Sequence, residues 1–174
     1  MLKKILVCLD GSKFAEGILP HAIERARHFN SKIILLKVIT VNIAPYATAV
    51  PGQPVLIMPG LLENNIRTEE MRAKSYLDGV AKRLRETGLD ADWVALHGIG
   101  EYTVSSIIVT YATENKVDLI MMATRGRSFW KRFMFGSVTE SVIRESSTPV
   151  LVVKPKDIGA KESAFSEIPQ GALA

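Results

Sequence analysis

Short apolar segments alternate with amphipathic helical stripes along most of this chain, and this alternation limits the possible folds more than any other feature. The apolar segments are Lys3–Leu9, Lys32–Thr40, Ala91–His97, Asp118–Ala123 and Pro149–Val153. Between them, apolar residues recur every three or four positions, which is the period of a helix with one buried face. Strands that alternate with helices form a parallel sheet with helices on both faces. The sequence therefore predicts one α/β domain, in which Ala91–His97 mixes polar and apolar residues and is a candidate edge strand.

Four helices are predicted between these strands. They cover Ala15–Ala26, Ile66–Leu84, Val104–Ala112 and Ser137–Ser146. Ser12 is placed to cap the first helix, and Pro20 is expected to kink this helix or loosen its first turns because proline disrupts the backbone hydrogen bonds of a helix. Gly88 can terminate the second helix.

The composition excludes several classes of protein. The 174 residues include one cysteine, Cys8, which rules out an intramolecular disulfide and any multi-cysteine metal site. The apolar run after Lys4 is too short for a secretory signal, and no run approaches the roughly 18 residues of a membrane span. A net charge of +4 is too small to indicate nucleic-acid binding. We expect a cytoplasmic protein that binds neither membranes nor nucleic acid.

Residues 41–62 are unusual because they contain four prolines and no charged residue. Proline at this density disfavours a helix or a central strand, and the lack of charge disfavours a solvated linker. We interpret 41–62 as an ordered, proline-rich loop that lies on another surface. The end of the chain, 155–174, has no periodicity and is predicted to be a flexible tail. The domain is therefore expected to span residues 1–154.

Two strand ends carry residues suited to ligand binding, since open parallel sheets bind ligands beyond the carboxyl ends of their strands. The first strand leads into Asp10-Gly11-Ser12. The fourth leads into Ala123-Thr124-Arg125-Gly126, and after nine intervening residues Gly136-Ser137 opens a helix. The helix N-terminus favours an anion, and the neighbouring arginines add positive charge. A simple turn at Gly126 and a helix cap at Ser137 explain the same residues, so the spacing alone leaves phosphate binding open.

Three sequence blocks occur in chain order and carry a family resemblance. They are Ile-Leu-Val-Cys-Leu-Asp-Gly-Ser, then Leu-Leu-Lys-Val, then Asp-Leu-Ile-Met-Met-Ala-Thr-Arg-Gly-Arg leading to Phe-Gly-Ser-Val-Thr-Glu-Ser-Val. From Leu2 to about Lys154 the chain resembles the universal stress protein family. The resemblance implies a Rossmann-like fold of the adenine nucleotide alpha hydrolase type, an open five-stranded parallel sheet with strand order 3-2-1-4-5. It also implies two helices on each face of that sheet.

The resemblance also implies an adenine-nucleotide site. Nucleotide-binding members of the family carry Gly-x2-Gly-x9-Gly-Ser/Thr, which this chain matches at Gly126, Gly136 and Ser137, with Ala123 in the first glycine position. The implied ligand is ATP or another adenine nucleotide with Mg²⁺, which Asp10 would hold through the nucleotide. The implied nucleotide-binding residues are Leu9, Asp10, Val38, Met122, Ala123, Arg125, Gly126, Arg127, Gly136, Ser137 and Val138.

The functional alternatives follow from what the sequence lacks. No arrangement of nucleophile and base can be assembled, so the chain is expected to be a ligand-binding stress or signalling protein, or at most a slow ATP hydrolase. If Ala123 prevents binding, the same fold would instead serve as an interaction module for an unknown protein partner. The apolar last strand is expected to form a homodimer by pairing with a second copy through Val150, Leu151, Val152 and Val153.

Overall fold

The computed structural model describes residues 2–40, 47–48, 56–57, 59–98, 103–124 and 136–155. In chain order, the elements are β1 (Lys4–Cys8), α1 (Lys13–Glu16), α2 (Leu19–Phe29), β2 (Lys32–Thr40), β3 (Ala47–Thr48), β4 (Leu56–Ile57), α3 (Pro59–Glu86), β5 (Ala91–Gly98), α4 (Val104–Glu114), β6 (Leu119–Ala123), α5 (Ser137–Glu145) and β7 (Val150–Val153). Among the described segments, none of the helices combines the length and hydropathy that crossing a membrane requires.

Five of the strands form one parallel sheet in the order β5-β2-β1-β6-β7. Numbered without the two-residue strands β3 and β4, this is the order 3-2-1-4-5, so the predicted fold class is confirmed. The first strand lies at the centre because it pairs with β2 on one side and with β6 on the other. The strands β5 and β7 form the two edges; the mixed sequence of β5 indicated the first, and the strand order implied by the family resemblance indicated the second.

Apolar side chains from alternate strand positions form a core on each face of the sheet. Ile5, Val7 and Leu9 of the β1 segment point to one face and pack with buried residues of α2 and α3. Leu6 points to the other face and packs with residues of α4 and α5, including Ile108 and Val142. We call these the first and second core clusters. Because each strand contributes side chains to both clusters, the central strands appear in the sequence as continuous apolar runs.

The structure corrects two local expectations, both involving proline. Pro20 does not kink one long helix; it lies in the first turn of α2, where its fixed φ suits a helix start, and α1 ends separately at Glu16. Likewise, α3 begins at Pro59 and not near Ile66, so the end of the proline-rich stretch is helical. The short strands β3 and β4, which the sequence did not suggest, pair antiparallel within that stretch. Most of 41–58 and of the predicted tail lies outside the described residues.

Asp118 fixes the amino-terminal end of the central strands. Its Oδ2 accepts hydrogen bonds from the backbone amides of Lys3 and Lys4, each at 2.8 Å. These two bonds hold the pKa of the Asp118 carboxyl below its usual value. The side chain that precedes β6 therefore anchors the beginning of β1, and the two strands run together to the opposite edge of the sheet.

Candidate functional site

The candidate site lies at the carboxyl edge of the sheet, where β1 and β6 end side by side and the neighbouring β2 continues past them to Thr40. The amide of Leu9 donates to the carbonyl of Leu36 at 2.8 Å, which keeps the end of β1 beside β2. The connection after β1 passes over the face of the first core cluster, and the connection after β6 includes α5 on the other face. Adjacent strands whose connections leave to opposite faces create a crevice at their carboxyl ends. Leu9, Asp10, Val38, Met122 and Ala123 all belong to this region.

The turn between β1 and α1 holds Asp10 in a defined position. Oδ1 of Asp10 accepts from the amide of Ser12 at 2.7 Å, and the Ser12 hydroxyl in turn accepts from the amide of Ala15 at 3.1 Å to cap α1. Gly11 has a φ of 92°, a backbone conformation that favours glycine. The Asp10 residue is exposed, and the Ser12 amide holds its carboxylate in place.

Lys37 is a site residue that the sequence analysis missed. Its ammonium donates a hydrogen bond to the backbone carbonyl of Asp10. A Cβ placed on Gly11 would lie 3.3 Å from the Lys37 nitrogen, so the glycine leaves room for the lysine head group. The available signal was a charged residue inside the apolar run of β2, directly before Val38. Lys37 brings one positive charge to the turn that carries Asp10.

Ala123 occupies the first glycine position of the family motif, and its surroundings suit alanine. It is the last residue of β6 and pairs with Val153 of β7. Positive φ angles at non-glycine residues occur only at Asn30 and Lys116 in the described ranges, so Ala123 does not need the conformational freedom of glycine. Its methyl group packs against the first core cluster. The substitution therefore places the extra carbon on the face away from α5.

Thr124 follows Ala123, and the sequence analysis did not assign it a role. Its backbone amide donates to the carbonyl of Val153 at 2.9 Å, which extends the pairing of β6 and β7 by one residue. The residue is 6% exposed, and its hydroxyl oxygen is buried with no hydrogen-bond partner among the residues that the structure describes. The signal in the sequence was a polar residue directly after an apolar strand. A buried, unpaired hydroxyl is uncommon and calls for an explanation.

The N-terminus of α5 is open. Gly136 is its N-cap residue, with φ −65° and ψ 154°, and makes no side-chain capping bond. A Cβ built on Gly136 meets no heavy atom within 4 Å in the described part of the chain. Ser137 is exposed, and Val138 packs against the second core cluster. The first amides of a helix have no partner within the helix, so those of Ser137, Val138 and Thr139 have no intrahelical acceptor.

The remaining predicted site residues are Arg125, Gly126 and Arg127, which lie outside the described residues, so their roles stay predictions. Cys8 lies at the end of β1, and burial raises the pKa of its thiol to about 12, which disfavours the reactive thiolate form at neutral pH. Among the residues the structure describes, no cluster of three or more histidine, cysteine, aspartate or glutamate side chains could hold a metal ion.

Comparison with known proteins identifies the relatives of this chain. The family model for the universal stress protein family matches residues 1–154. Universal stress protein MJ0577 of Methanocaldococcus jannaschii is 34% identical over 165 residues, which cover 90% of this chain and 98% of that protein. The solved structure of MJ0577 superposes with a TM-score of 0.66 at 29% identity, covering 90% of this chain and 99% of that one.

Two more distant structures share the fold. One is a universal stress protein in complex with cAMP, with a TM-score of 0.60 at 22% identity, covering 89% of this chain and 98% of that one. The other is the universal stress protein of Archaeoglobus fulgidus in complex with dAMP, with a TM-score of 0.58 at 22% identity, covering 88% and 100%. The match of the family model over nearly the whole described chain, together with the shared sheet, shows that this protein belongs to the universal stress protein family.

Proposed function

We propose that this protein binds an adenine nucleotide at the carboxyl edge of its sheet and acts as a stress or signalling protein, not primarily as an enzyme. The observation that carries the proposal is the open N-terminus of α5. Gly136 starts the helix without a capping side chain, and the space beside it is unfilled by the described residues. Backbone amides at a helix N-terminus, aided by the helix dipole, form a binding site for phosphate.

The position of Ala123 supports binding. If its methyl group pointed toward α5, it would occupy the space that a phosphate needs. The methyl group instead packs on the opposite face of the sheet, in the first core cluster. Alanine in the first glycine position of the motif is therefore compatible with nucleotide binding. The alternative, a nucleotide-independent interaction module, depended on Ala123 preventing that binding and is less favoured.

The choice of an adenine nucleotide rests on chemistry and on relatives. Asp10, fixed by the Ser12 amide, would accept from ribose hydroxyls or hold Mg²⁺ through the phosphates, and the Val38 backbone would lie beside the adenine ring. Structural relatives include complexes with cAMP and dAMP, which share adenine and at least one phosphate. A bound nucleotide would add contacts to 125–135, between Thr124 and Gly136, and so change the order of that segment and the association of the protein in the cytoplasm.

Binding is tested on protein stripped of ligand, by calorimetric titration and thermal unfolding with Mg-ATP, ADP, AMP and cAMP. Ligand at 100 times its dissociation constant adds about 2.7 kcal/mol, which raises the midpoint of a chain of this size by roughly 5 to 11 °C. The variant Gly136→Val fills the open space and is expected to lose the shift. Gly79→Val is the control, since Gly79 has the same free surroundings in the middle of α3.

No shift in the wild-type protein with any of these nucleotides at millimolar concentration would refute the proposal and favour the interaction module. An equal shift in Gly136→Val and the wild type would show that the nucleotide binds elsewhere. If ATP binds, release of inorganic phosphate over hours reports whether the protein also hydrolyses it slowly.

We also propose that the protein is a homodimer in which β7 of one protomer pairs with β7 of its partner. The edge position of β7 supports this, and all four of its side chains are half-buried. An apolar edge strand left open is prone to association. An antiparallel pair of β7 strands would join the two sheets and satisfy the free backbone groups of both edges.

A further inference from the structure

Among the threonines that the structure describes, Thr124 is the one whose hydroxyl oxygen is fully buried without a hydrogen-bond partner. The hydroxyls of Thr68, Thr87 and Thr113 each donate to a backbone carbonyl, and that of Thr103 caps α4. The Thr124 backbone is held in place because its amide donates to the carbonyl of Val153. An unpaired buried hydroxyl is destabilising, so the protein keeps Thr124 at an energetic disadvantage when no ligand is bound.

The alternation of β6 places the Thr124 side chain on the face that α5 covers. Ile120 and Met122 pack in the second core cluster, while Met121 and Ala123 pack in the first. Thr124 continues this alternation and follows Met122 toward the carboxyl edge. The first turn of α5 packs against that same cluster through Val138. The Thr124 hydroxyl and the first amides of α5 therefore lie on the same face of the sheet, at its carboxyl edge.

A hydroxyl and several amides together form a set of hydrogen-bond donors with no acceptor among the described residues. The chemical group that satisfies such a set is an oxygen-rich anion, and phosphate is the anion that the helix N-terminus favours. We propose that the Thr124 hydroxyl donates a hydrogen bond to a phosphate oxygen of the bound nucleotide. This inference rests on the proposed function and adds a binding residue to it.

The test compares the ATP affinity of Thr124→Val, Thr124→Ser and the wild type by calorimetric titration. Valine keeps the shape and removes the hydroxyl, whereas serine keeps the hydroxyl. We expect Thr124→Val to weaken ATP binding by about tenfold or more, as loss of a hydrogen bond to a charged group does, and Thr124→Ser to stay near the wild type. Thr113→Val makes the same chemical change on α4, away from this edge, and should leave affinity unchanged.

Thermal unfolding without ligand separates binding from structural support. Thr124→Val should unfold at the wild-type temperature or above, because it removes an unpaired polar group. A lower midpoint would mean that the hydroxyl is bonded within the chain, which would overturn the inference. Equal ATP affinity of Thr124→Val and the wild type would overturn it while leaving nucleotide binding intact. Failure of the wild type to bind any nucleotide would refute the proposed function and this inference together.

Discussion

Replacing Val152 by proline tests the proposed dimer through one backbone amide. The amides of Ile120 and Thr124 donate to the carbonyls of Pro149 and Val153. In a parallel ladder, residues that bond to the same neighbour alternate along the strand. Positions 149, 151 and 153 therefore bond to β6, while Val150 and Val152 direct their backbone groups to the open edge. Proline at 152 removes an outward amide and no bond within the sheet.

The expected effect follows from the symmetry of the pair. Each protomer contributes one Val152 amide, so the substitution removes two hydrogen bonds per dimer if both are made. At about 0.5 to 1.5 kcal/mol each, the loss is about 1 to 3 kcal/mol, which raises the dimer dissociation constant roughly 5- to 150-fold. The proline ring, which occupies the position of the missing hydrogen, adds to this by holding the partner strand away.

Sedimentation equilibrium over a concentration series measures the effect, with the monomer at 19.2 kDa. Val152→Thr keeps the amide and the branched shape and should associate like the wild type. Leu151→Pro removes an amide that faces β6, so it should lower the unfolding temperature well below that of Val152→Pro. Unchanged association of Val152→Pro would refute the pairing through β7, and a purely monomeric wild type at micromolar concentration would refute the dimer itself.

Three further predictions concern stability and reactivity. Gly79→Ala in the exposed middle of α3 should stabilise the protein by about 0.5 to 1 kcal/mol, seen as a small rise in the thermal midpoint. Asp118, whose pKa is lowered by the amides of Lys3 and Lys4, stabilises the fold above its unfolded pKa of about 3.9, and this contribution is lost as pH falls through the folded pKa. Asp118→Asn should therefore unfold more easily than the wild type at pH 7, and the difference should shrink in acid; a constant difference across that range would contradict the argument. Cys8, with its pKa raised to about 12, should react with a thiol reagent at pH 8 only after unfolding, and rapid labelling of the native protein would show that the thiol is accessible.

The strands could be predicted from the sequence because they are recognisable one by one, whereas their order in the sheet came from the family resemblance. The central strands β1 and β6 are buried on both faces, so they appear as continuous apolar runs. The mixed pattern of β5 indicated an edge, which the strand order confirms. The predicted start of α3 near Ile66 was wrong, because Pro59 and the uncharged residues after it were assigned to a loop. Proline is in fact favoured in the first turn of a helix, and α3 begins at Pro59.

The position of the candidate site could be predicted from the sequence, but the directions of its side chains could not. Spacing and family resemblance placed Asp10, Gly136 and Ala123 at the same edge. The face of the sheet that the Ala123 methyl group occupies depends on the pairing register of β6. A shift of that register by one residue would move every side chain of β6 to the other face. For the same reason, the sequence alone did not distinguish Thr124 from its neighbours as a candidate site residue. The hydrogen bond from Lys37 to Asp10 joins β2 to the turn after β1; the charge within the apolar run marked Lys37, but no local pattern identified its partner.

The choice of glycine at the start of α5 reflects a balance between helix stability and access. Ser12 and Thr103 cap α1 and α4 through side-chain hydrogen bonds. Gly136 makes no such bond, yet glycine at this position is only a few tenths of a kcal/mol less favourable than serine, whereas alanine is about 1 kcal/mol less favourable. Its backbone angles suit any residue, so conformation does not demand glycine there. Glycine is thus a residue that starts the helix at little loss of stability and adds no side chain beside the first amides, which is the property that the proposed phosphate site requires.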